Sequence, residues 1–192
     1  MGGESSAAIR LCATLWSHEH IPSMPGFEKT AEKWRLPTMS PDDVMLNKAA
    51  IVERCISRIH EEHRYNPQWT DITRLDALVL NVERACQASI DLAMHVVARR
   101  HLGVPQSSAA AFVLLEKGGA LEPALSRALQ GMTGFRNVVI HEYQEMDLEV
   151  LRWIVRDGWR DWVRFCEALG LRVVVDGETL TTDDTDSTDG TL

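Results

Sequence analysis

The sequence predicts an all-α protein, an up-and-down helical bundle of four main helices with shorter inserted ones. Three observations lead there. Apolar residues recur at three- and four-residue spacing over most of the chain from Pro41 onward. Ser, Asp, Pro and Gly stand at the starts and stops of those runs, where helix caps belong. Alternation of period two never lasts long enough for a sheet, and only Leu171 to Val175 reads as a short extended tail.

Residues 1–41 mix Gly, Pro, Ser and isolated tryptophans without a sustained period. They are expected to be a loosely structured extension, docked by Trp16 and Trp34. His18-Glu19-His20 supplies too few ligands, and no fixed geometry, for a metal site, so an exposed polar loop is expected there.

The bundle is expected over residues 42–171. Its first helix should run from Pro41, at the first helical position, to about Tyr65, with Asp42 and Asp43 in the first turn. Val44, Ala49, Ile51, Val52, Cys55, Ile56 and Ile59 form its apolar face. His60-Glu61-Glu62-His63 lacks the histidine spacing of a zinc-protease helix and reads as a solvated face. Asn66-Pro67 breaks the helix.

Thr70 or Asp71 caps a long second helix reaching His101, with Leu75, Leu78, Val82, Cys86, Ile90, Ala93 and Val97 at helical spacing. Gln87, Asp91 and His95 lie four residues apart on it. That polar stripe reads either as a wet surface or as a support that orients side chains on a facing helix. Ser107 or Ser108 starts a third helix that ends at Gly118-Gly119. A fourth is expected from Glu122 to Gln130, followed by a separate helix after Thr133-Gly134. Asp147 caps a last long helix ending at Gly170, with Leu148, Leu151, Val155, Trp159, Trp162, Cys166 and Leu169 on one stripe. Trp153, Trp159 and Trp162 read as core or subunit interface rather than base-stacking platforms. Residues 172–192 form an acidic tail expected to be disordered.

A length of 192 residues with 45% hydrophobic content supports one domain with an ample core. The sequence shows neither a membrane-length apolar run nor a signal-peptide pattern, so a cytoplasmic location is expected. Cys12, Cys55, Cys86 and Cys166 lack paired spacing and read as reduced thiols. The formal charge of -8 is uneven: six of the 28 acids lie after Val175, which leaves 22 acids against 20 bases in the rest. A near-neutral body with a local basic groove is compatible with RNA binding.

The densest chemistry lies in Phe135-Arg136-Asn137-Val138-Val139-Ile140-His141-Glu142-Tyr143-Gln144. On a helical wheel with Arg136 at zero, Asn137 falls near 100°, His141 near 140° and Tyr143 near -20°. A permanent cation, an amide, an imidazole and a phenol therefore share one arc. Arg136 and His141 stand toward its opposite edges, and converge on one ligand only through the length of arginine and an irregular helix start after Gly131 and Gly134.

The run resembles the signature of the HEPN ribonuclease superfamily, an arginine, a polar residue, a spacer and a histidine, here Arg136, Asn137 and His141. Tyr143, two residues past the histidine, narrows the resemblance to the HepT toxin family. The resemblance covers the bundle and leaves residues 1–41 out. It implies a toxin of a toxin–antitoxin system that cleaves RNA, with catalytic Arg136, Asn137 and His141. RNA carries its own nucleophile, so cleavage needs a base, an acid and a cation near the phosphate, and no metal or cofactor is expected. One histidine per chain serves poorly as both acid and base, so a homodimer sharing one groove is expected. The resemblance further implies a partner nucleotidyltransferase antitoxin of the MntA type, joined with the toxin in a hetero-oligomer, that transfers AMP onto Tyr143. Gln87 and Asp91 are candidates for orienting the site from the neighbouring helix. The alternative is a non-catalytic HEPN binding module that regulates a partner nucleotidyltransferase or binds nucleotide or RNA without cleavage.

Overall fold

Side-chain caps set the start of four helices in the computed structural model, which describes residues 40–141 and 147–175, with Ile140 and His141 given by their backbone alone. Expectations for the N-terminal extension, for Glu142 to Met146 and for the tail after Val175 lie outside the described residues.

The first helix, α1, spans Asp43–Tyr65. Asp42 is its N-cap, accepting from the Met45 amide at 2.9 Å, so Pro41 stands outside the helix rather than at its first position. That start places Met45 in the core and leaves Val44 exposed, contrary to the expected face. Met45, Ala49, Val52, Ile56 and Ile59 are buried along one stripe.

Asn66 ends α1 and shapes the turn that follows. Its side-chain oxygen accepts from the amides of Thr70 and Asp71 at 3.0 and 3.2 Å, and its amide nitrogen donates to the Asp71 carbonyl at 2.7 Å. Buried Asn66 thereby replaces water for three backbone groups. Asp71, one of the two expected candidates, then caps α2, Ile72–Arg99, by accepting from the Arg74 amide at 3.2 Å. The helix stops two residues short of His101, which takes a left-handed φ of 53°.

Ser107 caps α3, Ser108–Lys117, through the Ala110 amide at 3.2 Å. From there α4 runs unbroken over Pro123–His141. The expected break between a fourth helix and a separate motif helix does not occur. Gly131 and Gly134 weaken the helix by about 1 kcal/mol each. Leu129, Met132, Phe135 and Val139, buried on one side across that stretch, each contribute about 1.5–3 kcal/mol and win. Ser126 and Cys86 fix the rod to its neighbours: Ser126 Oγ donates to the Phe112 carbonyl of α3 at 3.3 Å, and Cys86 Sγ of α2 to the Met132 carbonyl at 3.6 Å.

The last helix is not a single α-helix. Asp147 caps α5, Leu148–Trp153, with its carboxylate on the Glu149 amide at 2.8 Å. A π-helical turn over Ile154–Gly158 follows, and α6 resumes over Trp159–Ala168. The wide turn coincides with a tight packing: a Cβ at Gly158 would overlap the Trp153 ring. Trp162 is fully buried and Trp159 nearly so, as core tryptophans should be. Gly170, at φ 77°, ends the element. Leu171 to Val175 then runs without secondary structure, Leu171 buried and the Val174 amide bonded to Glu53 at 2.8 Å.

Helices α1 and α2 pack as an antiparallel pair, α4 lies against α2 and α3, and α6 closes against α4 and α1. The described residues are thus an all-helical bundle without strands. None of their helices is long and apolar enough to cross a membrane. Cys55, Cys86 and Cys166 are buried free thiols, as expected. Burial pushes all three thiols up, Cys166 to about 12, so they stay protonated and inert.

The segment His60 to His63 departs from the solvated face expected of it. Glu62 is buried, receiving Arg58 at 2.8 Å and Arg74 at 3.0 Å. His60 meets the Trp159 ring edge-on with centroids 4.8 Å apart.

Candidate active site

Arg136 stands about two turns beyond buried Leu129 on the continuous rod of α4, one residue after buried Phe135 and three before buried Val139. The core side of the helix therefore fixes where its Cα sits. Its side chain is 25% exposed, placing the guanidinium at the rim of the α2–α4 seam rather than free in solvent. There its Nε faces Glu83 of α2, with Oε1 3.5 Å away and the Glu83 side chain itself only 20% exposed. The contact is an ion pair without hydrogen-bond geometry, for the buried Nε finds no hydrogen-bond partner. On the other edge of the guanidinium, Nη1 donates to the Asn137 Oδ1 at 3.3 Å. Asn137 itself is exposed.

His141 is the last described residue of α4. Because the helix is continuous, five residues separate it from Arg136 by about 140° around the axis and about 7.5 Å along it. The irregular start that would have drawn the two together is absent. Tyr143 lies outside the described residues.

Gln87 and Asp91 are tied to each other and to α1. Gln87 Nε2 donates to Asp91 Oδ1 at 2.7 Å, and Lys48 of α1 meets Asp91 Oδ2 at the same distance. One turn further, His95 Nε2 lies 2.8 Å from Asp42 Oδ2, which Arg99 also reaches at 2.8 Å. Among the described side chains, the stripe stitches α2 to α1 at its C-terminal end and reaches the motif helix at its N-terminal end, through Glu83. Sequence reading missed Glu83. Its signal was the same four-residue spacing continued one turn back from Gln87.

Glu83 and Arg136 both flank the buried Cys86 thiol, whose environment also feels their charges. Burial dominates there, and the thiol stays neutral. No cluster of three or more His, Cys, Asp or Glu side chains is placed to hold a metal among the described residues.

A constellation of arginine, asparagine and histidine on one helix, in an all-helical bundle, invites comparison with known proteins. A family model described as "Ribonuclease HepT-like" matches residues 46–169. The chain belongs to the HepT-like ribonuclease family. The mRNA nuclease HepT of Shewanella oneidensis is 36% identical over 129 residues, covering 67% of this chain and 97% of that protein. The tRNA nuclease HepT of Aphanizomenon flos-aquae is 33% identical over a shorter stretch of 61 residues, or 32% of this chain and 42% of that one. Among solved structures, the tri-AMPylated Shewanella oneidensis HEPN toxin in complex with its MNT antitoxin matches with a TM-score of 0.65 and 35% identity, over 68% of this chain and 98% of that one. A toxin–antitoxin structure with AMP-PNP matches with a TM-score of 0.64 and 34% identity over 67% and 98%. The HepT-like match spans α1 to α6, the whole described bundle from its second turn on.

Proposed function

We propose that this HepT-like chain is the toxin of a toxin–antitoxin pair and acts as a metal-independent endoribonuclease. In the reaction the ribose 2'-oxygen bonds to phosphorus while the bond from phosphorus to the 5'-oxygen breaks. A base removes the 2'-proton, an acid protonates the departing 5'-oxygen, and the product ends in a 2',3'-cyclic phosphate. His141 serves as acid or base, Arg136 clamps the scissile phosphate with its planar fork, and Asn137 positions a phosphate oxygen.

One observation carries this reading. Arg136 is held at the rim of a rigid seam, its Nε edge turned to the protein and its terminal edge beside exposed Asn137. A cation fixed in that way presents two parallel donors outward, which is the geometry a phosphate accepts.

The angular separation of Arg136 and His141 on an unbroken helix supports a composite site. Two copies related by a two-fold axis would place paired arginines and paired histidines around one groove, supplying separate acid and base. Gln87 and Asp91 would support that groove indirectly, by holding α2 to α1.

The likeness to an AMPylated toxin bound to its antitoxin supports a further part of the reading. An MntA-like nucleotidyltransferase would transfer AMP from ATP to the Tyr143 hydroxyl, releasing pyrophosphate. The added phosphate would occupy the anion site beside Arg136 and repel RNA.

Purified protein incubated with a single-stranded RNA in the presence of EDTA tests the nuclease, with cyclic-phosphate ends read by mass spectrometry. His141→Ala and Arg136→Ala should each abolish cleavage and relieve growth arrest. A chain that never cleaves, yet still arrests growth as H141A, would instead be a binding module without catalysis. Intact mass after incubation with the antitoxin and ATP tests the modification, which Tyr143→Phe should eliminate.

A further inference from the structure

We infer that Glu83 is the positioning residue for Arg136, and that it acts by holding the Nε edge of the guanidinium so that the terminal edge faces the scissile phosphate. The inference rests on the nuclease reading above for its kinetic consequence, but on the ion pair alone for its structural one.

Arg136 has three faces to satisfy. Its Nε is buried with no hydrogen-bond partner, a circumstance that costs free energy unless a nearby charge offsets it. Glu83 Oε1, at 3.5 Å, is the carboxylate oxygen that faces it, and that carboxylate is itself four-fifths buried against the seam. Neither partner is free to wander, because Glu83 is flanked on α2 by buried Val82 and Ala85, and Arg136 on α4 by buried Phe135. The remaining edge carries the two terminal nitrogens, and one of them already touches Asn137 Oδ1.

The placement has two opposed effects on an incoming polyanion. Orientation favours the reaction, because a guanidinium locked in one rotamer loses little freedom when the phosphate arrives. The carboxylate's own charge opposes binding, because it partly neutralises Arg136 before the phosphate does. A residue that lowers attraction for substrate while improving alignment should separate turnover from binding. A merely structural residue would lower the apparent kcat in proportion to the unfolded fraction and leave KM where it was.

The test compares wild type, Glu83→Ala and Glu83→Gln on a single-stranded RNA oligonucleotide, with the folded fraction of each followed by circular dichroism. In E83A, kcat should fall about 10- to 100-fold, as expected for a catalytic cation displaced by an ångström or so, while KM stays equal or drops. In E83Q the amide oxygen can still face Nε at the same reach, so most of kcat should return. Wild-type kcat in E83A, or a loss of kcat fully accounted for by the lost folded fraction, would overturn the inference.

A second readout does not depend on nuclease activity. In nitrogen-15 spectra the Arg136 Nε–H, assigned by its disappearance in Arg136→Lys, should exchange slowly with water and resonate apart from the bulk arginines. In E83A it should collapse into the bulk signal; persistence there would reject positioning. If wild type cleaves no RNA at all, the nuclease reading falls while this spectrum still decides the role of Glu83.

Discussion

The indole N–H of Trp69 donates to Nδ1 of His63 at 3.2 Å. Trp69 sits in the turn between α1 and α2 at a left-handed φ of 58°, nearly buried, with the Arg152 guanidinium 4.5 Å above its ring. The bond fixes the proton of neutral His63 on Nε2, since Nδ1 must accept. A tryptophan in a backbone region that costs it about 1–3 kcal/mol is thus held from three sides, by burial, by the imidazole and by the cation.

Acid should loosen this corner. Burial, followed by the charge of Arg152, lowers the His63 pKa, and burial, His63, Arg160 and Arg64 lower that of His60. Each histidine's folded pKa lies below its unfolded 6.5, so the unfolded chain binds more protons in that range and stability falls as pH drops through it. Melting temperature should therefore decline from about pH 7.5 to about pH 5.5, and the decline should shrink when His60 and His63 are both replaced by Gln. An equal decline in the double variant would assign the pH dependence elsewhere.

Removing the carboxylate of Glu62 should destabilise the bundle. That group is 7% exposed and receives both Arg58 and Arg74. Breaking a wholly buried pair costs roughly 3–5 kcal/mol, but both arginines are 40% exposed or more and would return to water. Glu62→Ala should accordingly lose about 1–2 kcal/mol in urea unfolding, with an unchanged denaturant slope.

Gly158→Ala should cost more than its helical φ suggests. The added methyl would overlap Cζ3 of the Trp153 ring and approach Cε3 to 2.6 Å, so the ring must move or the π turn must rearrange. Overpacking of this kind typically costs about 1–3 kcal/mol. Replacing Trp153 by Leu in the same chain should recover part of the loss, a coupling that a double-mutant cycle would reveal.

Arg136→Lys should be nearly as damaging to catalysis as Arg136→Ala. An ammonium keeps the charge but cannot contact Glu83 with one edge and a phosphate with the other. A fall of about 10²-fold or more in kcat is expected, measured on the same RNA as wild type, with the folded fraction unaltered.

Much of the bundle was legible because helix ends are local. Asp147 was expected as a cap, Asp71 and Ser107 each as one of two adjacent candidates, and each accepts from a backbone amide two or three residues on. Glycine misled where burial had to be weighed: Gly131 and Gly134 look like a boundary until Leu129, Met132, Phe135 and Val139 are seen to share one core. The π turn gave no signal, since its apolar spacing fits an ordinary helix almost as well. The candidate site was readable only where its residues are neighbours in sequence. Arg136 and Asn137 could be chosen from their spacing, but the partner of Arg136 lies 53 positions earlier in the chain, and its meeting depends on how α2 crosses α4. The distance of Lys48 from Asp91 along the chain hid the tie to α1 in the same way.

The unbroken course of α4 makes the guanidinium's aim a matter of counting. Deleting or inserting one residue between Ser126 and Phe135 would turn everything downstream by about 100°, carrying Arg136 away from Glu83 while the rod itself stayed helical. Drift in this family should therefore tolerate exchanges of residue type along that stretch far better than changes in its length.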